Sequence, residues 1–213
     1  MMIYISIGGG KKINACVKNH DLGWCLAPDN INNPKSQRYF LDNGKFHAEI
    51  HEKIWAVNPF KVLMGKYPDY DFVVLPDKPQ INPVRDRILG RKLALLSIQE
   101  SLKYIDEIPG PVYFAVQDWM MQSDIIPLMD RIDGLFVAGS LEWKIKTAFD
   151  WSNLAHAFNK KCHGARMNPY ELLRYAHYSG LDSVDGSTAS RHDDPREIEK
   201  YFNHLKYQKS FVV

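Results

Sequence analysis

Short runs of apolar residues alternate along the chain with longer segments in which apolar positions recur every three or four residues. Strands are expected at 3–7, 24–27, 38–41, 71–75, 112–116 and 134–137, with a weaker one within 160–166 and a last one running into Asp185. Phe46, Ile50, Ile54 and Val57 share one face of a helix expected over 45–57. Ile88, Leu95, Ile98 and Leu102 do the same over 84–106, where Pro109-Gly110-Pro111 stops the pattern. Further helices are expected over 123–132 and 141–158, the second with Trp143, Ile145, Ala148, Trp151 and Leu154 as its apolar surface. Asn168 as N-cap and Pro169 at the first helical position open a helix that stops at Gly180. Asp193-Asp194-Pro195 starts the last helix, to about Leu205, and the tail 210–213 reads as a short strand or a frayed end. Gly8-Gly9-Gly10 with Lys11-Lys12 reads as a flexible loop, an anion cradle being the weaker alternative because no phosphate-loop spacing is present. The Asn/Pro-rich segment up to Pro34 reads as loop.

Strands that alternate with helices imply a parallel α/β sheet. Seven or eight of them in 213 residues favour a compact, TIM-like (β/α) barrel, trimmed or irregular at this length, over an open sheet. With neither linker nor internal repeat, a single domain over 1–213 is expected.

Composition narrows the classes. A hydrophobic content of 45% with 24% charged residues is that of a globular protein. A formal charge of +2 excludes a broadly basic surface and allows only a local basic patch. Cys16, Cys25 and Cys162 are too few and too far apart for a disulfide framework or a metal pair, so reduced thiols are expected. His163, His177 and His192 form no HExxH or close His/Cys set, so no metal is expected, and they read as surface or core histidines. No apolar run reaches the roughly 20 residues of a membrane span. The first residues read as a strand without a basic leader, which places the expectation in the cytoplasm with no membrane partner.

Asp42, Asp77, Gln117, Gly139 and Asp185 all fall at expected strand C-termini, which in a barrel converge on one face. Each alone reads as a turn former, and Asp182 with Asp185 as turn caps. Gly186 behind Asp185 allows either a close approach or a positive φ. Five such positions at five strand ends point to a shared site.

These stretches resemble the tRNA-guanine transglycosylases and, more closely, their DNA-directed relatives, the DpdA-type 7-deazaguanine transglycosylases. Leu41-Asp42-Asn43-Gly44-Lys45-Phe46 resembles T/D-D-S-G-G-F, which carries the acid/base aspartate. Phe114-Ala115-Val116-Gln117 is similar to F/I-x-I/V-Q-G, with Asp118 in place of the glycine, and Phe136-Val137-Ala138-Gly139-Ser140 to the I-G-G-L segment. Gly180-x-Asp182-x-x-Asp185 followed by Arg191 matches the nucleophile motif G-x-D-x-x-D-x5-R. The tRNA enzymes' C-terminal zinc site of three cysteines and a histidine has no counterpart after Cys162. Gly139-Ser140-Leu141-Glu142-Trp143-Lys144 also looks like the DNA-directed branch.

The resemblance implies an enzyme, without cofactor, that replaces guanine in DNA by a 7-deazaguanine base. Breaking a glycosidic bond through an oxocarbenium-like state calls for two carboxylates. Asp185 would be the nucleophile and Asp42 the proton shuttle. Asn43, Asp77, Gln117, Gly139 and Ser140 would hold the base, with Phe46 or Trp119 stacked on it. Lys144, Lys146, Lys160, Lys161, Arg166 and Arg191 are candidate nucleic-acid contacts, the alternative being a solvated face. An RNA-directed transglycosylase, a nucleoside hydrolase and a silent nucleic-acid-binding barrel remain the alternatives. A requirement for a partner protein or a homodimer is left open.

Overall fold

The computed structural model describes residues 1–6, 8, 10–30 and 38–209; the expectations for Ile7, Gly9, 31–37 and 210–213 lie outside them. Eight parallel strands close into a barrel in chain order: β1 (Met2–Ser6), β2 (Gly23–Leu26), β3 (Tyr39–Leu41), β4 (Val73–Val74), β5 (Val112–Val116), β6 (Gly134–Val137), β7 (Lys161–Gly164) and β8 (Ser183–Gly186). β8 pairs with β1, placing Asp185 opposite Tyr4. Around it lie α1 (Lys11–His20), α2 (Lys45–Ile50), α3 (Val57–Lys66), α4 (Arg87–Leu102), α5 (Gln122–Ile125), a 3-10 turn (Ile126–Arg131), α6 (Leu141–Ala157), α7 (Tyr170–Tyr178), α8 (Thr188–His192) and α9 (Arg196–Lys209). The expected (β/α) barrel is therefore the observed one.

Strand parity divides the apolar residues into two cores. Ile3, Ile5, Leu26, Leu41, Val73, Leu135 and Val184 point outward beneath the helices. Tyr4, Phe40, Phe72, Tyr113 and Phe136 point inward. Phe72 lies between Phe40 (4.6 Å, 9°) and Tyr113 (3.9 Å, 11°), Tyr4 meets Phe40 edge-on at 5.0 Å, and His163 stacks on Phe136 at 4.8 Å. So many rings in one layer require small neighbours. Tyr4 is opposite Gly23 and Tyr113 opposite Gly134. A Cβ on Gly23 would lie 2.3 Å from the Tyr4 ring. Tyr4 also closes the N-terminal end of the barrel by donating its hydroxyl to Asp71 at 2.8 Å, beside Arg38 at 3.1 Å. Towards the C-terminal end the inward residues shrink to Val74, Ala115, Ala138 and Ala165, which leaves a space.

Several expectations are corrected. The helix expected over 45–57 is instead α2 and α3, and Ile50 and Ile54 are exposed. Glu52 takes φ 51°, and Trp55 folds back so that its indole donates to Asn43 O at 2.8 Å, a tertiary contact that overrides the periodicity. α4 buries Gly90, Ala94, Ser97, Ile98 and Ser101, whereas Ile88 and Leu95 face solvent. The Trp119 indole fills the space a Cβ at Gly90 would need, and Ser97 serves the polar end of the barrel. α1 was not expected. Its N-terminus is capped by Asp193, which accepts Ile13 N–H at 3.0 Å, so a carboxylate of the chain itself occupies the candidate anion cradle. Pro169, not Asn168, is the N-cap of α7, and Asn168 is buried against Gly186. The close approach permitted by Gly186 is thus that side chain. The 123–132 helix divides at Ile126, one residue before Pro127, which supplies no N–H.

Gly134→Ala would put a methyl group 2.6 Å from the Tyr113 ring and 2.8 Å from Lys161 O, between an aromatic plug and a backbone carbonyl. A loss of about 1–3 kcal/mol is expected, read as a lower urea midpoint with an unchanged m-value.

Candidate active site

The strand ends bring Asp42, Asn43, Phe46, Asp77, Gln117, Arg166 and Asp185 around one recess of about 540 Å³, counted with its opening to solvent. Its walls include Val74, Ala115, Phe136, Ala138 and Ala165, so the narrowing of the inward side chains is what makes the room.

Asp185 stands on β8 with inward parity and is buried. Its Oδ1 accepts the Arg166 backbone N–H at 2.7 Å and lies 3.3 Å from His163 Nε2. A carboxylate only accepts, so Nε2 carries the hydrogen, and Nδ1 accepts from the Ser183 hydroxyl 2.8 Å away. Burial pushes the fully enclosed His163 below its ordinary pKa, against the pull of Asp185, which keeps the imidazole neutral. Both donors are on Oδ1, and among the described residues none is placed on Oδ2. From the sequence His163 reads only as a core or surface residue. Its signal was parity: in β7 Cys162 points outward, so His163 points inward with Ala165.

Asp42 follows β3. Its backbone N–H donates to Leu26 O at 2.7 Å, and its Oδ1 accepts Gly44 N–H at 2.7 Å while Asn43 Oδ1 accepts Lys45 N–H at 2.8 Å. These overlapping side-chain turns need a left-handed residue, and Gly44 supplies it at φ 74°. Burial pushes the Asp42 pKa up to about 7, with the charges of Asp185 and Asp77 acting in the same sense and the Gly44 N–H opposing. Asp42 is both turn former and recess carboxylate.

Asp77 is clamped at both oxygens, by Asn43 Nδ2 at 3.0 Å and Gln117 Nε2 at 2.6 Å. Gln117 also donates to Ser97 Oγ at 2.9 Å and accepts Gln80 N–H at 2.9 Å. The amides of Asn43 and Gln117 are therefore engaged by the protein and orient Asp77. Burial lifts the Asp77 pKa to about 6, with Asn43 and Lys45 opposing. Phe46 is half-buried, and the Arg166 guanidinium lies 4.2 Å from its ring centroid while donating to Ala138 O at 3.1 Å. This contact spans the mouth of the recess.

Other expected site residues lie elsewhere. Gly139 and Ser140 do not line the recess. Ser140 binds Asp118 through its N–H and its hydroxyl, both at 2.6 Å, and a Cβ on Gly139 would strike Asp118 and Trp143. Trp119 packs on Gly90 and donates to Val84 O at 2.9 Å. Lys144 is 2% exposed and donates to Ala165 O, so it is not a surface phosphate contact; burial, with Arg166 nearby, brings its pKa down to about 8. Lys146 is exposed and paired with Glu142 at 2.6 Å, and Arg191 is exposed on α8, outside the recess. Lys160 and Lys161 stand at the N-terminal end of β7, away from the recess, where Asp182 binds Lys161 Nζ at 3.0 Å. The two aspartates of the Gly180–Asp185 stretch thus serve opposite ends of the barrel. Among the described residues no set of three His, Cys, Asp or Glu side chains could hold a metal ion, and no helix is long and apolar enough to cross a membrane.

No protein-family model matches the chain, and no curated protein matches it.

The raised acids set a pH dependence. Folded Asp42 holds its proton more tightly than the unfolded chain does, so its stabilising contribution is complete below the ordinary carboxylate pKa and is lost as pH rises through about 7. Asp77 acts in the same direction up to about 6. Asp42→Asn keeps the acceptor for Gly44 and removes the charge. It is expected to stabilise the protein by roughly 2–4 kcal/mol at pH 8 and by no more than about 0.5 kcal/mol at pH 4, measured by urea unfolding.

Proposed function

We propose that the protein is a base-exchanging transglycosylase that replaces guanine in DNA with a 7-deazaguanine base. The observation that carries this reading is the pair of unlike carboxylates in one recess: Asp185 with one oxygen doubly hydrogen-bonded and the other open, and Asp42 with a pKa near 7. The resemblance of the segments at Asp42, Gln117 and Asp185 to the DpdA-type enzymes supports it. That of Gly139-Ser140-Leu141-Glu142-Trp143-Lys144 favours DNA over RNA.

Asp185 Oδ2 attacks the anomeric carbon of the target nucleotide, and the bond from that carbon to guanine breaks with its electron pair on the base. Protonated Asp42 supplies the leaving base with a proton. The resulting carboxylate takes the ring N–H proton of the incoming 7-deazaguanine, whose nitrogen displaces Asp185 and restores the nucleoside bond. Each cycle begins and ends with Asp42 protonated, for which a pKa near neutrality is suited. Asp77, fixed by Asn43 and Gln117, offers its remaining lone pairs to N–H groups on the base edge, and Phe46 offers a ring face. The target nucleotide must leave its helix or be unpaired to reach the recess.

The test is mass spectrometry of the protein and a guanine-containing oligodeoxynucleotide incubated with labelled 7-deazaguanine. Wild type is expected to form a covalent adduct and incorporate label, and Asp185→Ala to lose both by roughly 10³-fold or more. Free base released without incorporation would make the protein a hydrolase. Incorporation into RNA alone would make it the RNA-directed enzyme, and binding indifferent to loss of both aspartates would leave a silent barrel. Because His163 touches Asp185 and not the ligand, His163→Phe is expected to lower kcat while leaving KM for the base nearly unchanged.

A further inference from the structure

The recess is not isolated. Gln80 and Arg166 line both it and an adjoining cleft, and Asp118 and Ser140 line both that cleft and a wider groove of about 1630 Å³, counted with its opening to solvent. The groove runs between the start of α4 and the start of α6, lined by Arg85, Arg87, Arg91, Trp119, Trp143 and Lys146.

Its charges are unequal in kind. Arg91 is bound to Asp124, Lys146 to Glu142, and the carboxylate of Asp118 to Ser140. Arg85 and Arg87 are exposed and in no ion pair among the described residues. Arg85 stands within electrostatic reach of Glu142, which also lines the groove and is already bound by Lys146, and Arg87 faces solvent beside it. Two exposed guanidinium groups that no carboxylate among the described residues binds directly thus stand at one place on a chain with a formal charge of only +2. The aromatic residues are held in place. Trp119 is tied through its indole N–H to Val84 O at 2.9 Å and seated on Gly90, and Trp143 lies 6.0 Å from Trp151; both are half-buried. Cations for a backbone beside ring faces for its bases are the two elements of single-strand recognition.

We propose that this groove binds the single strand of nucleic acid flanking the nucleotide whose base enters the recess, with Arg85 and Arg87 on its phosphates and Trp119 and Trp143 against its bases. The assignment rests on the base-exchange reading for the direction of the strand into the recess, and on the groove alone for the binding.

The experiment is fluorescence anisotropy of a labelled single-stranded dodecamer, in DNA and in RNA, with competition by the unlabelled mononucleotide, for wild type and for Arg85→Ala/Arg87→Ala between 50 and 200 mM salt. The double variant is expected to bind the dodecamer about tenfold more weakly or worse, with the slope of log K against log salt smaller by about 1.4, while mononucleotide binding is unchanged. Arg85→Glu/Arg87→Glu, at the same exposed positions, should weaken it further. Dodecamer binding and slope unchanged in both double variants would overturn the proposal. So would displacement by polyglutamate as effective as by an oligonucleotide of equal charge, or a preference for duplex. Binding that depends on these arginines without base exchange would refute the transglycosylase reading and leave the groove. Exchange with variants that bind like wild type would refute the groove alone.

Discussion

A closed barrel of parallel strands admits only alternate side chains to its interior, and the rest of this structure follows from how those positions are filled. Near the N-terminal end Tyr4, Phe40, Phe72, Tyr113 and Phe136 fill the cross-section with rings, and Gly23 and Gly134 give way to them. One step further along β5, β6 and β7 the same parity brings Ala115, Ala138 and Ala165. The floor of the recess and the recess itself are thus successive layers of one pattern. Asp42, Gln117 and Asp185 rim it because they occupy the next inward positions on their strands.

Acids placed there lose solvation, and each is treated differently. Asp77 receives a donor on each oxygen. Asp42 is enclosed with one backbone donor and near three other carboxylates, Asp185, Asp77 and Asp29, so its proton is held up to about neutral pH. Asp185 receives two donors on a single oxygen, one from a neutral imidazole whose tautomer is set by Ser183. Two donors on one oxygen fix the orientation of the carboxylate and leave its other oxygen without a donor among the described residues. The arrangement fixes geometry at a cost in folding energy that grows as pH rises through about 6 and 7.

The barrel was legible because its evidence is local and repeated: apolar runs bounded by turn residues, with carboxylates or amides after them. Asp42, Asp77, Gln117 and Asp185 were legible by the same rule. What failed was what depends on partners distant in sequence. The exposed Ile50 and Ile54 read as core because periodicity knows nothing of Trp55 folding back onto Asn43. α4 reads from Ile88 and Leu95, but Trp119 and Gln117 select its face of small and hydroxyl residues. The resemblance to the I-G-G-L segment puts Gly139 and Ser140 at the base. The structure gives them to Asp118, the residue that stands where the resembling motif has glycine.

Lys144 is the most instructive of these displacements. It is one of the basic residues expected to touch nucleic acid or to lie on a solvated face, yet its ammonium is buried and donates to Ala165 O. Ala165 precedes Arg166, which takes the left-handed conformation at φ 55°. In that conformation the Arg166 backbone N–H reaches Asp185 and its side chain crosses to Phe46 and Ala138 O. A strained residue keeps such a conformation only where its surroundings fix it, and the buried lysine is one of those restraints. Positive charge therefore acts on the recess twice over, once through the exposed guanidinium at the mouth and once through a hidden ammonium that holds the turn carrying it. Removing the second would be felt at Asp185 through the backbone and through the loss of a direct electrostatic attraction, even though Lys144 makes no hydrogen bond to it.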